Sequence, residues 1–101
     1  MLAEKLSGGN IMYDTLLVSQ IKIVLDLINL RRSTEDKAIL RTLKNKYNHL
    51  LHAIERDDDL KKYSIRGSVR VFLEAYNNYE DPLITELYKA EQLYITQLND
   101  Q

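Results

Sequence analysis

Apolar residues recur every three or four positions along four segments of this chain, and short polar stretches separate the segments. This spacing places the apolar side chains on one side of a helix, whereas a half-buried strand requires strict alternation. The chain has only one proline and three glycines, fewer turn residues than a sheet-rich protein usually needs. The pattern therefore predicts an all-α protein, folded as an antiparallel up-down-up-down four-helix bundle.

The length of 101 residues is typical of one domain. Residues 1–10, "MLAEKLSGGN", end in two glycines, and we expect them to form a flexible N-terminal arm that need not be native. Met12 is then an alternative start of the protein. Residues 11–101 are predicted to form the single four-helix-bundle domain.

The first helix is predicted from Ile11 to Leu30. Its polar residues form one stripe at intervals of three and four: Thr15, Ser19, Lys22, Asp26 and Asn29. Because most of its other positions are apolar, we expect this helix to lie centrally and to pack against more than one neighbour. The second helix is predicted from Thr34 to Arg56, with Ser33 as its N-cap. Its expected core face is Leu40, Leu43, Tyr47, Leu50 and Ile54, with Leu51 alongside.

The third helix is predicted to start near Ser64, or earlier if Asp59 is its cap, and to end by Asn78. Its expected core face is Ile65, Val69, Phe72, Leu73 and Tyr76. The fourth helix follows Asp81, a good N-cap, and Pro82, which is tolerated at the first helical position. Its expected buried face is Leu83, Leu87, Ala90, Tyr94 and Leu98.

Charge is unevenly distributed, although the whole chain has a net charge of −1. Residues 31–70 have a net charge of +5 and residues 71–101 a net charge of −5, so we expect the two parts to attract each other, or else to form a partner surface. There is no cysteine, which excludes disulfides and thiolate metal sites and favours a cytoplasmic location. Polar residues interrupt the longest apolar stretch, so no membrane span is predicted.

The sequence contains no recognisable catalytic motif. His49 and His52 could face one metal ion, with Glu55 one turn further on, but an ordinary exposed pair is the favoured interpretation. Asp57–Asp59 lack the spacing of a calcium loop and are predicted to be a solvated connector. Neither histidine lies in a Ser/His/Asp context, and no glycine-rich phosphate loop occurs. We therefore predict no enzyme activity, no metal, no cofactor and no small-molecule substrate.

A basic cluster surrounds the start of the second helix and is the kind of patch that binds phosphates: Arg31, Arg32, Lys37, Arg41, Lys44 and Lys46. Glu35 and Asp36 interrupt it, and no helix-turn-helix spacing is evident. A nucleic-acid-binding regulator is thus an alternative function. The function that we prefer, given below, involves no nucleic acid. A third alternative is a small adaptor or a homodimerising bundle.

A second candidate surface lies on the fourth helix. Ile84, Tyr88, Glu91 and Ile95 are spaced four, three and four residues apart, beside the predicted core stripe, and Tyr79 lies in the adjoining turn. These residues form either a partly exposed edge that docks a partner helix or the margin of a wide core stripe.

The stretch "YSIRGSVRVFLEAYNNYEDPLITELYKAEQLY" resembles the third and fourth helices of bacteriocin immunity proteins of the enterocin A immunity type. The chain's size and predicted four-helix layout are also similar to that family. The resemblance implies a cytosolic bacterial protein that protects the cell from pediocin-like peptides. Such a protein binds the bacteriocin-engaged mannose phosphotransferase permease at the inner face of the membrane, without turnover.

In that family the C-terminal half sets which bacteriocin is countered. Carried over to this sequence, the resemblance implies a partner-binding region at Asn77, Asn78, Tyr79, Ile84, Tyr88 and Ile95. We further expect a basic surface that faces anionic lipid headgroups: Lys61, Lys62, Arg66 and Arg70.

Overall fold

Four α-helices make up most of the chain that the computed structural model describes, namely residues 11–99, with side chains from residue 15 onward. Helix α1 spans Ile11–Arg32, α2 spans Ala38–Glu55, α3 spans Ser68–Tyr76 and α4 spans Pro82–Asn99. A 3-10 turn, Leu60–Lys62, lies between α2 and α3. No strand occurs in residues 11–99, so the predicted all-α fold is confirmed. The arm predicted at residues 1–10 lies outside the described residues.

The helices form an antiparallel bundle in which each helix packs against the next and α4 closes against α1. The end of α1 lies beside the start of α4, where Arg31 Nη2 is 2.7 Å from Asp81 Oδ1. The start of α2 lies beside the end of α3, where Lys37 Nζ is 3.5 Å from the carbonyl oxygen of Ala75. The predicted up-down-up-down topology is therefore confirmed, and one ion pair joins the basic and acidic parts of the chain.

The core holds three aromatic side chains among its largest members, and the two hydroxyls among them are hydrogen-bonded. Tyr47 donates to Ser68 Oγ at 3.0 Å, and Ser68 in turn donates to a carbonyl oxygen. Tyr94 donates to the carbonyl oxygen of Leu60 at 2.7 Å. Burial raises the pKa of Tyr47 and keeps its hydroxyl neutral. These bonds link α2 to α3 and α4 to the 3-10 turn, and they satisfy the hydroxyls of Tyr47 and Tyr94.

The predicted start of the second helix is wrong by four residues, because α2 begins at Ala38. Ser33 Oγ donates to the carbonyl oxygen of Leu30 at 2.6 Å, and Thr34 Oγ1 donates to that of Arg31 at 3.0 Å. Both hydroxyls therefore donate to carbonyl oxygens in the last turn of α1, and neither caps α2. A hydroxyl can donate to the end of one helix as well as accept from the start of the next, which is why the sequence alone was ambiguous.

The predicted start of the third helix is also too early, since α3 is only nine residues long and begins at Ser68. Gly67 precedes it with a φ of +86°, in the left-handed region that favours glycine. Asp59 caps the 3-10 turn, where it accepts from the amide of Lys61. The chain between Asp59 and Gly67 is thus a bent connector and not the first turns of a helix.

The core faces differ from the prediction at a few positions. On α2, Ala53 is buried and Ile54 only half-buried; on α4, Gln97 is buried and Leu98 half-buried. Of the residues predicted for the third helix, Ile65, which precedes α3, and Phe72 are buried, whereas Val69, Leu73 and Tyr76 are half-buried. The cap of α4 is confirmed, because Asp81 Oδ1 accepts from the amide of Leu83 at 2.9 Å.

Helix α1 packs against both α2 and α4, as predicted, but it is not surrounded. Its polar stripe is exposed, and three large apolar side chains are exposed with it: Leu16 (47 %), Ile23 (44 %) and Leu30 (68 %). One apolar flank of α1 therefore faces solvent beside the polar stripe. Within residues 11–99, none of the helices combines the length and apolar content needed to cross a bilayer.

Asp81 provides a test of the contact between α1 and α4. Burial alone would raise the pKa of Asp81, but hydrogen bonds from Arg31 and from the Leu83 amide hold it below the ordinary value. A carboxylate with a depressed pKa stabilises the fold above the unfolded value of ~3.9, and the stabilisation is lost as pH falls through the folded value. We expect Asp81→Asn to lower the free energy of unfolding by ~1–2 kcal/mol at pH 7.

Urea unfolding followed by circular dichroism at pH 7 and below pH 4 measures this difference, which should shrink as the pH falls. Glu80→Gln is the matched control, because Glu80 is the exposed neighbouring carboxylate. Equal stability of Asp81→Asn and the wild-type protein at pH 7 would show that the Arg31 contact contributes nothing to the fold.

Candidate functional site

An open groove of about 820 Å³ lies between α3 and α4. It runs along the whole of α3, from Gly67 before its start to Asn77 at its end, beside one turn of α4. The lining residues are Gly67, Val69, Arg70, Leu73, Glu74, Asn77, Tyr79, Tyr88, Glu91 and Gln92. We refer to this surface as the α3–α4 groove.

Two exposed tyrosines provide aromatic surface in the α3–α4 groove. Tyr79 is 76 % exposed and Tyr88 is 57 % exposed, although both are large side chains with an apolar ring. Val69 and Leu73, which are half-buried, add apolar surface. Tyrosine contributes much contact area with few rotatable bonds, and it is enriched where proteins bind other proteins. The groove therefore offers rigid aromatic contacts next to an aliphatic surface.

Glu91 holds the two walls of the groove together. Its Oε1 accepts from the amide of Gly67 at 2.8 Å, and its Oε2 accepts from the amide of Val69 at 2.9 Å. A carboxylate at a helix N-terminus satisfies amides that have no partner within the helix and interacts favourably with the helix dipole. Residue spacing predicted that Glu91 lies on the edge of α4, but not that it caps α3. The available signal was Gly67, which has no side chain that could cap α3.

The turn between α3 and α4 is shaped by two of the predicted site residues. Asn77 ends α3 with a φ of +52°, a left-handed conformation that asparagine tolerates, and its amide donates to the Leu73 carbonyl oxygen at 2.7 Å. Asn78 Oδ1 accepts from the amide of Glu80 at 3.1 Å. These bonds place Tyr79 on the surface beside the groove.

The structure divides the predicted partner-binding residues into two groups. Asn77, Tyr79 and Tyr88 line the α3–α4 groove. Ile84 is half-buried and packs against the core, and Ile95 is half-buried and does not line the groove. The exposed edge of α4 is therefore narrower than the spacing of its residues suggested, because part of that face meets the core.

The predicted basic surface is exposed at all four positions, Lys61, Lys62, Arg66 and Arg70. Arg70 lines the α3–α4 groove, whereas Lys61 and Arg66 line a second depression of about 470 Å³ at the end of α4. None of the four forms an ion pair with a carboxylate in the described part of the chain. These cations are thus available to an anionic partner, although they do not form one compact site.

The basic cluster at the start of α2 is partly neutralised within the protein. Arg31 pairs with Asp81 at 2.7 Å, and Asp36 forms ion pairs with both Arg32 at 2.9 Å and Arg41 at 3.1 Å. Lys37 lies 4.5 Å from the ring centroid of Tyr76. Each cation held by a carboxylate releases fewer counterions from a nucleic acid, so this surface is less favourable to phosphate binding than the sequence suggested.

The remaining polar motifs are the histidine pair on α2 and the aspartate run that follows it. His49 and His52 are exposed on α2, and residues 11–99 hold no group of three metal-ligating side chains of the His, Cys, Asp or Glu type. Asp58 accepts from the guanidinium of Arg56 and from the hydroxyl of Tyr63, both at 3.2 Å. A hydrogen bond from the Asp59 amide and the contact with Arg56 lower the pKa of Asp58. The aspartate run therefore shapes the connector after α2.

A model of a family described as YeeD uncharacterised protein matches residues 12–101. The chain belongs to the YeeD family. Comparison with curated proteins gave no match, and comparison with solved structures gave none either. The YeeD match says nothing about bacteriocin immunity, so that resemblance stays a prediction for this YeeD-family protein.

Glu91 gives the second prediction. We expect Glu91→Ala to lower the free energy of unfolding by ~1–3 kcal/mol, because two amides at the start of α3 lose a charged acceptor. Glu91→Gln should cost less, since its single amide oxygen can still accept from one of the two amides. Gln92→Ala, at the exposed neighbouring position, is the control and should be close to neutral.

Urea unfolding measures the stability, and hydrogen exchange at the amides of Gly67 and Val69 reports the local effect. Faster exchange at these amides in Glu91→Ala, with α2 unaffected, is the expected result. Unchanged exchange would show that Glu91 does not hold α3 against α4.

Proposed function

We propose that this YeeD-family protein is a bacteriocin immunity protein that acts by binding and not by catalysis. It binds the bacteriocin-engaged membrane receptor, a mannose phosphotransferase permease, from the cytosol and keeps the associated pore closed. The observation that carries the proposal is the α3–α4 groove with its two exposed tyrosines. This groove lies in the C-terminal half, where the resemblance to enterocin A immunity proteins puts recognition of the bacteriocin.

The chemistry of the groove suits a helical or extended segment with one apolar face. Tyr79 and Tyr88 would pack against aliphatic or aromatic side chains of that segment and keep their hydroxyls at the edge, in contact with water. Arg70 and Glu74 flank the apolar surface with opposite charges. Binding at such a surface needs no movement of the core, since Glu91 already fixes α3 against α4.

The exposed cations support a position at the inner face of the membrane. Lys61, Lys62 and Arg66 precede α3, and α3 forms one wall of the groove. Anionic headgroups attract each such cation by about 1 kcal/mol near the surface. The cations would hold the protein near the membrane while the groove binds the receptor complex.

The direct test is protection of a sensitive bacterial strain. Cells that express the wild-type chain are challenged with a panel of pediocin-like bacteriocins, and the minimal inhibitory concentration is measured. We expect the chain to raise this concentration for at least one bacteriocin. The double variant Tyr79→Ser/Tyr88→Ser should lower the protection by about tenfold or more, because central aromatic contacts dominate binding energy.

Lys46→Ala is the matched control, since Lys46 is an exposed, long side chain on α2 and does not line the groove. It should protect as well as the wild-type chain. Circular dichroism and unfolding curves must show that the double variant remains folded. No protection by the wild-type chain against any bacteriocin in the panel would refute the proposal.

A further inference from the structure

Helix α1 carries a line of exposed apolar side chains that the proposed function does not use. Leu16, Ile23 and Leu30 are seven residues apart, and each is more than two-fifths exposed. A seven-residue repeat keeps side chains close to one line along a helix, which is the geometry of a helix-pairing seam. The line extends over about 21 Å of α1, given the rise per residue of a helix. We call these three residues the α1 stripe.

The α1 stripe is part of a longer seam pattern. Gln20 and Leu27 complete a four, three, four, three spacing from Leu16 to Leu30. Gln20 Nε2 donates to the backbone carbonyl oxygen of Glu86 at 3.0 Å and to its Oε1 at 2.8 Å, so the seam lies on the α4 side of α1. Leu27 packs partly against the core. Two interior positions of the seam are therefore held by the protein's own fold, and the three stripe residues remain exposed.

An apolar depression lies at one end of the stripe. It has a volume of about 300 Å³ and is lined by Leu27, Leu30, Arg31, Thr34, Pro82 and Leu83. It is large enough to accept an aliphatic side chain from a helix that packs along α1. The stripe residue at the opposite end, Leu16, is such a side chain.

We infer that a second copy of this chain packs antiparallel against the α1 stripe and forms a twofold-symmetric dimer. The stripe reads the same in both directions, with isoleucine at its centre and leucine seven residues away on each side. A twofold axis at Ile23 therefore places Ile23 against Ile23 of the second copy and Leu16 against Leu30 of that copy. Self-complementarity of this kind is the requirement for a symmetric interface.

Charges beside the stripe favour the same arrangement. Lys22 lies one residue before Ile23 and Asp26 three residues after it, on the same exposed flank of α1. Antiparallel pairing about Ile23 brings Lys22 of one copy to within about 3 Å, along the helix axis, of Asp26 of the other copy. Neither side chain forms an ion pair within residues 15–99 of one chain. The dimer thus contains two symmetric Lys22–Asp26 pairs.

The dimer leaves the α3–α4 groove of each copy open, because no residue of the α1 stripe lines it. The inference is therefore independent of the proposed function. Dimerisation would present two grooves on one particle. When one groove is bound, the effective concentration of the second groove at a neighbouring binding site is raised.

Sedimentation of the full-length chain over ~5–500 µM tests the inference, because this range detects a dimer with a micromolar Kd. We expect a monomer–dimer equilibrium that Ile23→Glu weakens by about tenfold or more, because it places two carboxylates on the twofold axis. Tyr88→Ser, an exposed position in the groove, is the control and should dimerise as the wild-type chain does. Circular dichroism verifies that Ile23→Glu is folded, as expected for an exposed position.

A charge-exchange experiment tests the geometry. Lys22→Glu alone and Asp26→Lys alone should each weaken self-association by about tenfold, because each creates two like-charge contacts across the axis. An equimolar mixture of these two variants should restore association, since both contacts are then between opposite charges. If Lys22 paired with Asp26 of the same chain, mixing the two variants could not restore association.

Two results would overturn the dimer itself, and a third would overturn its antiparallel arrangement. One is a full-length chain that stays monomeric throughout the concentration range, which would mean that residues 1–10 or a different protein covers the stripe. The other is an Ile23→Glu variant that dimerises like the wild-type chain. Failure of the mixture to associate better than either variant would overturn the antiparallel arrangement about Ile23.

Discussion

The position of α3 depends on two hydrogen bonds that the amides of Gly67 and Val69 donate to the carboxylate of Glu91. Helix α3 cannot cap itself, because Gly67 has no side chain and takes a left-handed φ of +86°. The acceptor for its first amides must come from α4, and this fixes where α3 lies along α4. Glu91 also lines the α3–α4 groove, beside Gly67 and Val69. The contact that caps α3 therefore also joins the two walls of the groove.

The other end of α3 is held by aromatic and cationic contacts. Phe72 and Tyr76 stack with their centroids 4.6 Å apart, and the guanidinium of Arg31 lies 5.4 Å from the Tyr76 ring. Arg31 also binds Asp81, which caps α4. Side chains from α1, α3 and the start of α4 therefore meet at this end, whereas Glu91 joins α3 and α4 at the other. A groove with both walls held in this way is preorganised, so little ordering of the protein would be lost on binding a partner.

Periodicity was sufficient to predict the four helices and their antiparallel order, because each helix must bury one apolar stripe and the connectors are short. The start of α4 was also predictable, since Asp81 followed by Pro82 allows few alternatives. The starts of α2 and α3 could not be predicted from the sequence. Ser33 can serve the end of one helix or the start of the next, and the cap of α3 is a residue 24 positions away from Gly67. Ile84 and Tyr88 lie one turn apart on α4, and only tertiary packing buries one and exposes the other. Exposure of the α1 stripe was missed for the same reason.

The most direct test of the central claim, that the α3–α4 groove binds the receptor complex, is site-specific photocrosslinking in living cells. A benzophenone amino acid replaces Tyr88, and in a second strain it replaces Lys46 on the exposed side of α2. Both strains carry the permease and are irradiated with and without a bacteriocin that the chain counters. The proposal predicts a permease adduct from position 88 that forms only when bacteriocin is present, and no such adduct from position 46. Absence of the adduct at position 88, or equal yields from the two positions, would contradict it.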